Sequence, residues 1–328
     1  GRYSESALFP APPRYDNGTF TIPRVQYKTL VNTILSSKNH IIIHAAGGVG
    51  KSVFANNIKN YLTNDSIAIV YDCFGAGSYM NRSRSRHHYR EALVQIANEL
   101  SIKGLCDPLF ATGGSLDDEL LNRFLEKINI AIKKLKFVNK EAKIVFIIDA
   151  ADNAEMAAKE FGDSCFAKYL LRESFPEDCH LIMLCRTERV SLLEPNSTVD
   201  KYELKPFSKI ETLKLLQNKY ENATMLDACE FNNLTAGNPR VQANFLLTHQ
   251  ADNIATFLQS LGPKEITIDK MIGNQIRTAI DKIHDKYPNI YRQQFDSICK
   301  GLAILPPFIP LSVLANVAQV DESAVKSF

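Results

Sequence analysis

The amino-acid sequence predicts an α/β fold in which a parallel β-sheet covered by helices is followed by a helical bundle. Short apolar runs alternate with amphipathic helical segments as far as Pro206, where the strand pattern stops. The composition, with 45% hydrophobic and 23% charged residues, is that of a globular protein. At 328 residues the chain is long enough for two or three domains.

The predicted strands are continuous apolar runs, which is typical of strands that are buried on both faces of a sheet. Four such runs and a shorter fifth lie at residues 40–45, 67–73, 144–149, 181–185 and 202–204. Segments 25–35, 51–62 and 89–100 carry apolar residues three and four positions apart, as helices do. This alternation predicts five parallel strands with helices on both faces of the sheet.

Three further units flank the predicted α/β domain. Prolines, glycines and aromatic residues without periodicity predict an extended leader before it. Ser208 and Glu211 form a capping-box pattern that starts a helical unit, and a third unit follows that we expect to be incomplete at Phe328. Because no initiator methionine opens the chain, we expect both ends to be cut. The predicted boundaries are 1–24 for the leader, 25–205 for the α/β domain, 206–265 for the helical domain and 266–328 for the third domain.

Charge and cysteine content exclude several classes of function. The formal net charge of +2 gives no overall electrostatic basis for nucleic acid or an anionic membrane as the main partner. Seven scattered cysteines without a CxxC pair indicate reduced thiols rather than a disulfide framework or a zinc site. The apolar runs fall short of the roughly 20 residues that cross a bilayer, and no signal peptide is present. We therefore expect a cytoplasmic protein without a membrane span.

The strongest local signal is Ala45-Ala-Gly-Gly-Val-Gly50-Lys51-Ser52, which lies between a predicted strand and a predicted helix. Glycines let the backbone curl so that successive N–H groups point at phosphate oxygens. The lysine then reaches the β and γ phosphates, and the serine can coordinate Mg²⁺. The pattern predicts a P-loop that binds ATP, or GTP, with Mg²⁺. The predicted nucleotide-binding residues are Ala46, Gly47, Gly48, Val49, Gly50, Lys51, Ser52 and Val53.

A second signal is the apolar run that ends in Asp149. An acid at the carboxyl end of a buried strand lies where a phosphate-bound Mg²⁺ would be, so Asp149 and Ser52 are the predicted metal ligands. Asp152 is the predicted residue that polarises the attacking water, and Glu155 is a weaker candidate for the same task. The alternative for Asp149 is a helix N-cap, and for Asp152 a purely structural role stays open.

Arg186 follows another predicted strand, and Gly237-Asn238-Pro239 interrupts the helical region. If that strand is inserted between the two strands that carry the motifs, Arg186 meets the γ-phosphate and acts with Lys51 and Asp152 in catalysis. The alternative is an ordinary surface arginine at a strand end. The Gly-Asn-Pro sequence by itself predicts only a rigid turn.

A basic stretch between residues 81 and 90 contains Arg82, Arg84, Arg86 and Arg90. It is compatible with an intersubunit arginine finger or an anion site, but a solvated charged loop is the favoured interpretation. His44 lies inside a predicted strand, where a hydrogen-bonded core histidine is the more common case.

These motifs in this order, followed by a helical bundle, resemble the STAND class of signal-transduction NTPases, relatives of AAA+ proteins that include the NACHT and NB-ARC families. The resemblance covers residues 23–328. The segment Tyr71-Asp-Cys-Phe-Gly-Ala-Gly, the run from Ile148 to Glu155, and Gly237-Asn-Pro-Arg240 are similar to large bacterial STAND ATPases of antiviral defence.

The resemblance implies an ATPase domain, a helical domain whose Pro239 packs near the adenine, and a winged-helix domain that is truncated here. It also implies that residues 20–24 contact the base. The sequence departs from the family pattern in three places. Pro23-Arg24-Val25 replaces the frequent Gly-Arg-Glu, and Arg240 replaces a frequent apolar residue. The winged-helix histidine that often touches the β-phosphate is not reached, because we expect the chain to be cut before it.

Together these features predict a switch that binds ATP or ADP with Mg²⁺, hydrolyses ATP slowly and is held closed by ADP. ATP exchange on arrival of a protein trigger that is recognised outside residues 1–328 would open the domains for self-association, and a phage-derived protein is one candidate for this trigger. The alternatives are a nucleotide-binding module with negligible hydrolysis and an initiator-type AAA+ ATPase associated with DNA. The near-neutral charge disfavours the second alternative and makes nucleic acid an unlikely partner.

Overall fold

A five-stranded parallel sheet forms the centre of the first domain. The computed structural model describes residues 5–14, 22–63, 65–249, 251–261, 292–305 and 309–327, and the single residues 273, 277 and 281. The strands are β1 (Ile41–Ala45), β2 (Ile67–Asp72), β3 (Ile144–Asp149), β4 (Cys179–Arg186) and β5 (Asp200–Glu203). Their order is β2-β3-β4-β1-β5, and all neighbours are parallel. The predicted fold class is confirmed, with β4 inserted between β3 and β1.

The helices of the described chain follow the strands in the pattern expected for this fold. They are α1 (Glu5–Leu8), α2 (Val25–Ser36), α3 (Lys51–Asn57), α4 (Tyr89–Ile102), α5 (Asp117–Val138), α6 (Ala151–Phe161), α7 (Phe166–Leu170), α8 (Lys209–Gln217), α9 (Met225–Leu234), α10 (Pro239–Thr248), α11 (Ile254–Ser260), α12 (Arg292–Ile304), α13 (Leu311–Ala318) and α14 (Glu322–Ser327). Helix α3 continues as a 3₁₀ turn over Ile58–Tyr61. None of the described helices combines the length and apolar character that a membrane crossing requires.

Both faces of the sheet are buried because successive side chains of a strand point to opposite sides. On one face Phe146 packs among residues of α4, α5 and α6, including Phe124 of α5. On the other face Ile147 packs with residues of α2 and α3, including Phe54. Strand β3 is buried at every position, which explains its continuous apolar sequence.

The helical unit after Pro206 has a separate apolar core. Leu216, Phe231, Phe245 and Phe257, one from each of α8 to α11, are almost fully buried in it. The predicted capping box starts α8, since the Ser208 side chain accepts a hydrogen bond from the Glu211 amide at 3.2 Å and Glu211 accepts one in return. Such a cap is worth about 1 kcal/mol of helix stability.

The third predicted unit is only partly within the described residues. Helices α12, α13 and α14 share a small core around Ile298 and Leu314. Most of residues 262–291, on which the predicted winged-helix unit depends, lie outside the described residues.

The described part of the leader, residues 5–14, lies against α4. Gln95 accepts a hydrogen bond from the Ala11 amide at 3.0 Å, and Asn98 donates one to the Leu8 carbonyl at 2.8 Å. The leader is not extended throughout, because residues 5–8 form the helical turn α1.

Candidate nucleotide-binding site

The predicted P-loop connects β1 to α3 at the carboxyl edge of the sheet. Gly48 and Gly50 have positive φ angles of 79° and 104°, which side-chain-bearing residues rarely adopt. A Cβ atom on Gly48 would lie 2.7 Å from the Asn238 side chain, so glycine is also required for space. This backbone curls at the start of a helix, as an anion cradle requires.

Lys51 is folded back over the loop. Its Nζ donates hydrogen bonds to the carbonyls of Ala45 at 2.8 Å and Ala46 at 3.1 Å. Burial lowers the pKa of Lys51, and the charges of Asp152 and Asp149 oppose that shift. The ammonium group therefore lies on the loop, where phosphate oxygens can replace the two carbonyls as its partners.

Asp149 ends β3, and its side chain is almost completely buried. The next residue, Ala150, has a φ of 55° and is the N-cap of α6 without a side-chain cap bond. Asp149 is therefore not a helix N-cap, which removes the structural alternative considered for it. Its carboxylate and the exposed hydroxyl of Ser52, in the first turn of α3, are the hard oxygen donors that suit Mg²⁺.

Asp152 lies in the first turn of α6 and is 2% exposed. Burial raises the pKa of its carboxyl group, while the charges of Arg189 and Lys51 and a hydrogen bond with the Arg186 backbone lower it. The Arg189 Nη1 atom lies 3.4 Å from Asp152 Oδ2 and 3.2 Å from Asn153 Oδ1. Arg189 was not among the predicted site residues, and the sequence offers no local signal for this contact.

Glu155, the weaker candidate for the catalytic acid, lies almost one turn further along α6 and contacts α7. Its carboxylate accepts a hydrogen bond from the Lys168 amide of α7 at 3.0 Å. Burial raises the pKa of Glu155, and a hydrogen bond with Cys165 lowers it. The charges that raise the pKa of Lys51 include Asp152 and Asp149, and the role of Asp152 or Glu155 as the acid that polarises water stays a prediction.

Arg186 ends β4 directly beside Ala45 in the β1–β4 register. Its side chain is 48% exposed, and its Nη1 lies 3.8 Å from Glu188. This places a solvent-accessible guanidinium group at the start of the P-loop. His44 precedes Ala45 in β1 and is half-buried, so it is not the core histidine that the sequence favoured. It forms a 3.1 Å hydrogen bond with the Thr187 hydroxyl group.

The favoured interpretation of the basic stretch 81–90 is wrong for Arg86. Its side chain is 4% exposed and donates to the carbonyls of Asp72 at 2.6 Å and Pro12 at 2.7 Å. Arg86 also lies 3.8 Å from the Asp72 carboxylate, and Tyr71 donates to the Arg86 carbonyl at 2.9 Å. The arginine faces inward because the leader offers it main-chain acceptors, so it is not available as a finger for another subunit.

The helical unit touches the P-loop through the start of α10. Asn238 donates a hydrogen bond to the Gly47 carbonyl at 2.9 Å, and the Arg240 amide donates to the Gly48 carbonyl at 3.1 Å. Pro239 is the first residue of α10, between these two contacts. The turn before it depends on Gly237 at φ 64°, where a Cβ would lie 2.6 Å from the Phe207 carbonyl.

Arg24 joins three parts of the chain at the edge of the P-loop. Its 3%-exposed side chain forms a 2.9 Å ion pair with Glu211 of α8. It also donates to the carbonyls of Lys205 at 2.7 Å and Val49 at 3.3 Å. Of the predicted base-contacting residues 20–24, the first two lie outside the described residues.

The sheet order, the P-loop and the acid at the end of β3 define the fold of a P-loop NTPase. The family model described as nephrocystin 3, N-terminal, matches residues 23–186, which make up half of the chain. The chain belongs to this family, and the predicted STAND-class P-loop NTPase assignment is confirmed. No curated protein matches the sequence significantly.

Solved structures show similarity of fold at low sequence identity. One match is a Walker-type ATPase of Pyrococcus abyssi, which is 14% identical in sequence; the match includes 90% of this chain and 88% of the ATPase chain, with a TM-score of 0.49. Another is a STAND protein of Pyrococcus horikoshii with a tetratricopeptide repeat sensor, which is 16% identical; the match includes 95% of this chain and 42% of the STAND chain, with a TM-score of 0.42. A RuvB mutant of Thermotoga maritima is 12% identical over 93% and 85% of the two chains, with a TM-score of 0.39.

Proposed function

We propose that this protein is a STAND-type molecular switch that binds ATP and Mg²⁺, hydrolyses ATP slowly, and closes or opens with the state of its nucleotide. One observation carries the proposal: the start of α10 in the helical unit is hydrogen-bonded to the P-loop itself, through Asn238 to Gly47 and Arg240 to Gly48. The loop proposed to hold the phosphates is thus also an interdomain contact.

The energy of that contact suits a switch. Each of the two hydrogen bonds is worth on the order of 1 kcal/mol. A ligand shifts an equilibrium only by its difference in affinity for the two states. The preference of ADP for the closed over the open arrangement needs to differ from that of ATP by only a few kcal/mol to change an arrangement held this weakly.

Within this proposal each predicted site residue has one task. The P-loop backbone and Lys51 bind the phosphates, Ser52 and Asp149 hold Mg²⁺, and Pro239 lies against the base. Arg186 is the exposed cation that reports the γ-phosphate. The support for the roles of the P-loop, Asp149 and Arg186 is their placement along one edge of the sheet. The support for Pro239 is its position at the start of α10, beside the contacts of that helix with the P-loop.

The proposed slow turnover has a physical basis in the partner of Asp152. Burial raises the pKa of Asp152, and the nearby charge of Arg189 is the largest influence that opposes this rise. A general base must accept a proton, so while this pair is intact Asp152 is a weaker base than burial alone would make it. Movement of the 3₁₀ turn that carries Arg189, over Thr187–Leu193, would release the acid.

We place the switch in bacterial antiviral defence on the sequence resemblance alone. Self-association after opening and a protein trigger recognised outside residues 1–328 belong to the same proposal. The inward position of Arg86 removes one arginine from the basic stretch and so weakens the case for a nucleic-acid partner.

The proposal is tested by titrating the protein with ADP and ATP in the presence of Mg²⁺ and recording small-angle scattering in each state. Lys51→Ala should lower ATP affinity about a hundredfold, because it removes a charge-assisted phosphate contact worth a few kcal/mol. Lys59→Ala, an exposed lysine in the following 3₁₀ turn, is the matched control and should bind normally.

ADP should give a smaller radius of gyration than the nucleotide-free protein, and Asn238→Ala should reduce the difference. Equal ATP affinity of the two lysine variants would refute the P-loop assignment. Unchanged scattering with ADP shown to be bound would reduce the protein to a binding module.

A further inference from the structure

We propose that His87, His88 and Asp163 form a binding site for a divalent transition-metal ion such as Zn²⁺, separate from the nucleotide site. The three residues belong to the loop before α4 and the residue after the C-cap of α6. The proposed function makes no use of them.

The positions of the donor atoms carry this proposal. The Nε2 atoms of His87 and His88 each lie 3.1 Å from the same atom, Oδ2 of Asp163. All three donor atoms lie within 4.8 Å of one another. Zn²⁺ binds such atoms tetrahedrally at about 2.0–2.1 Å, which separates neighbouring ligand atoms by about 3.3–3.4 Å. The two distances from the histidine nitrogens to Asp163 are therefore already close to the spacing that the ion requires.

The kinds of donor atom select the class of ion. Two imidazole nitrogens with one carboxylate oxygen suit Zn²⁺, Co²⁺ or Ni²⁺, whereas Mg²⁺ and Ca²⁺ prefer oxygen ligands alone. Adjacent histidines must turn both rings toward one side to converge, and their ring centroids are only 4.2 Å apart. Three protein ligands leave a fourth position for water or another ligand.

The surroundings of the two rings differ. The Nδ1 atom of His88 lies 3.6 Å from Glu91 Oε2, which is beyond hydrogen-bond distance. His87 is fully buried, and its Nδ1, the ring nitrogen that does not contact Asp163, has no hydrogen-bond partner within the described part of the chain. The side chains of His88 and Asp163 are 36% and 39% exposed, which leaves a path for the ion.

The fold fixes the three ligands from two directions. Gly162 ends α6 with a φ of 72° and turns the chain so that Asp163 faces the loop before α4. The Phe166 amide of α7 donates to the His87 carbonyl at 3.2 Å, which holds the same two segments together. An ion here would join the beginning of α4 to the end of α6, the helix that carries Asp152.

Without an ion, the same distances describe two hydrogen bonds from the histidines to Asp163, and metal titration separates the two cases. Chelator-treated, nucleotide-free protein is titrated with Co²⁺, followed by its visible absorption, and with Zn²⁺ by calorimetry. We expect one equivalent to bind, with the absorption bands of a tetrahedral Co²⁺ site and a rise in melting temperature on addition of Zn²⁺.

His88→Ala and Asp163→Ala should abolish the bands and the rise in melting temperature. His249→Gln, in the helical unit, is the matched histidine control and should bind normally. Asp163→Asn keeps the size of the side chain but is a poor ligand, so it replaces Asp163→Ala if that variant does not fold.

The titration is repeated in Asp149→Asn, where the predicted Mg²⁺ ligand is lost, and the Co²⁺ bands should persist. Absence of stoichiometric binding by the wild-type protein would overturn the proposal. So would equal affinity in the wild type and the His88 and Asp163 variants. Neither result depends on nucleotide binding, so failure of this site is distinct from failure of the proposed switch.

Discussion

Arg86 and Arg186 lie in the same domain of the chain but have opposite surroundings. The sequence placed Arg86 in a loop interpreted as solvated, whereas the structure buries it under the leader, where it donates to main-chain carbonyls. Arg186, at the end of β4, has one ion-pair contact at 3.8 Å and remains 48% exposed. Availability for a ligand thus depends on whether main-chain acceptors already occupy the guanidinium group, and not on local charge density.

The largest expected effect is a difference in the free energy of unfolding between the alanine variants of the two arginines. Arg86→Ala leaves the carbonyls of Asp72 and Pro12 without their donor and should lower the free energy of unfolding by about 3 kcal/mol. Arg186→Ala should change it by less than about 0.5 kcal/mol, as for other exposed residues. Urea denaturation of both variants measures the difference. Equal losses would mean that the leader contributes little to the fold.

A smaller effect should appear in nucleotide preference. If Arg186 contacts the γ-phosphate, Arg186→Ala should lower ATP affinity about tenfold and leave ADP affinity unchanged, since a hydrogen bond to a charged group is worth about 1.5–3 kcal/mol. The comparison of ATP and ADP by calorimetry needs no separate control variant, because ADP is the internal reference. A parallel loss for both nucleotides would assign Arg186 a structural role.

The smallest effect is expected in the same basic stretch. Arg82 lies over the ring of Phe161 at 5.0 Å, and such cation–π contacts at exposed sites contribute less than about 1 kcal/mol. Arg82→Ala should therefore shift the urea midpoint slightly, far less than Arg86→Ala. A shift as large as that of Arg86→Ala would show that the whole stretch is part of the core.

The sheet could be predicted from the sequence because buried parallel strands need continuous apolar residues. Each predicted strand is found with its ends moved by at most two residues, as β4 begins at Cys179 instead of residue 181. Helix α5 (Asp117–Val138) was missed, although Leu120, Phe124 and Ile128 recur at helical spacing and are buried. This spacing of apolar residues is a sufficient sequence signal for α5, so the helix is predictable from the sequence.

Parts of the site could not be predicted, because they depend on contacts between distant segments. The Arg86 hydrogen bond to Pro12 spans 74 positions, and the contact of Asn238 with Gly47 spans 191. A local pattern contains no information about either pairing. Arg189 is similar, because its contact with Asp152 depends on how the turn after β4 packs on α6.

Arg24 has a further consequence for how such a protein could be triggered. Its guanidinium group is dry only while the P-loop, the exit of β5 and α8 all surround it. If α8 moves away, the Arg24 guanidinium group loses its contact with Glu211 and must be hydrated by water molecules instead. A half-separated arrangement hydrates this charge poorly and is therefore unfavourable. In the proposed switch, hydration of this one side chain is then the barrier between the closed and open arrangements. A trigger that admits water at this point would free the helical unit without touching the nucleotide.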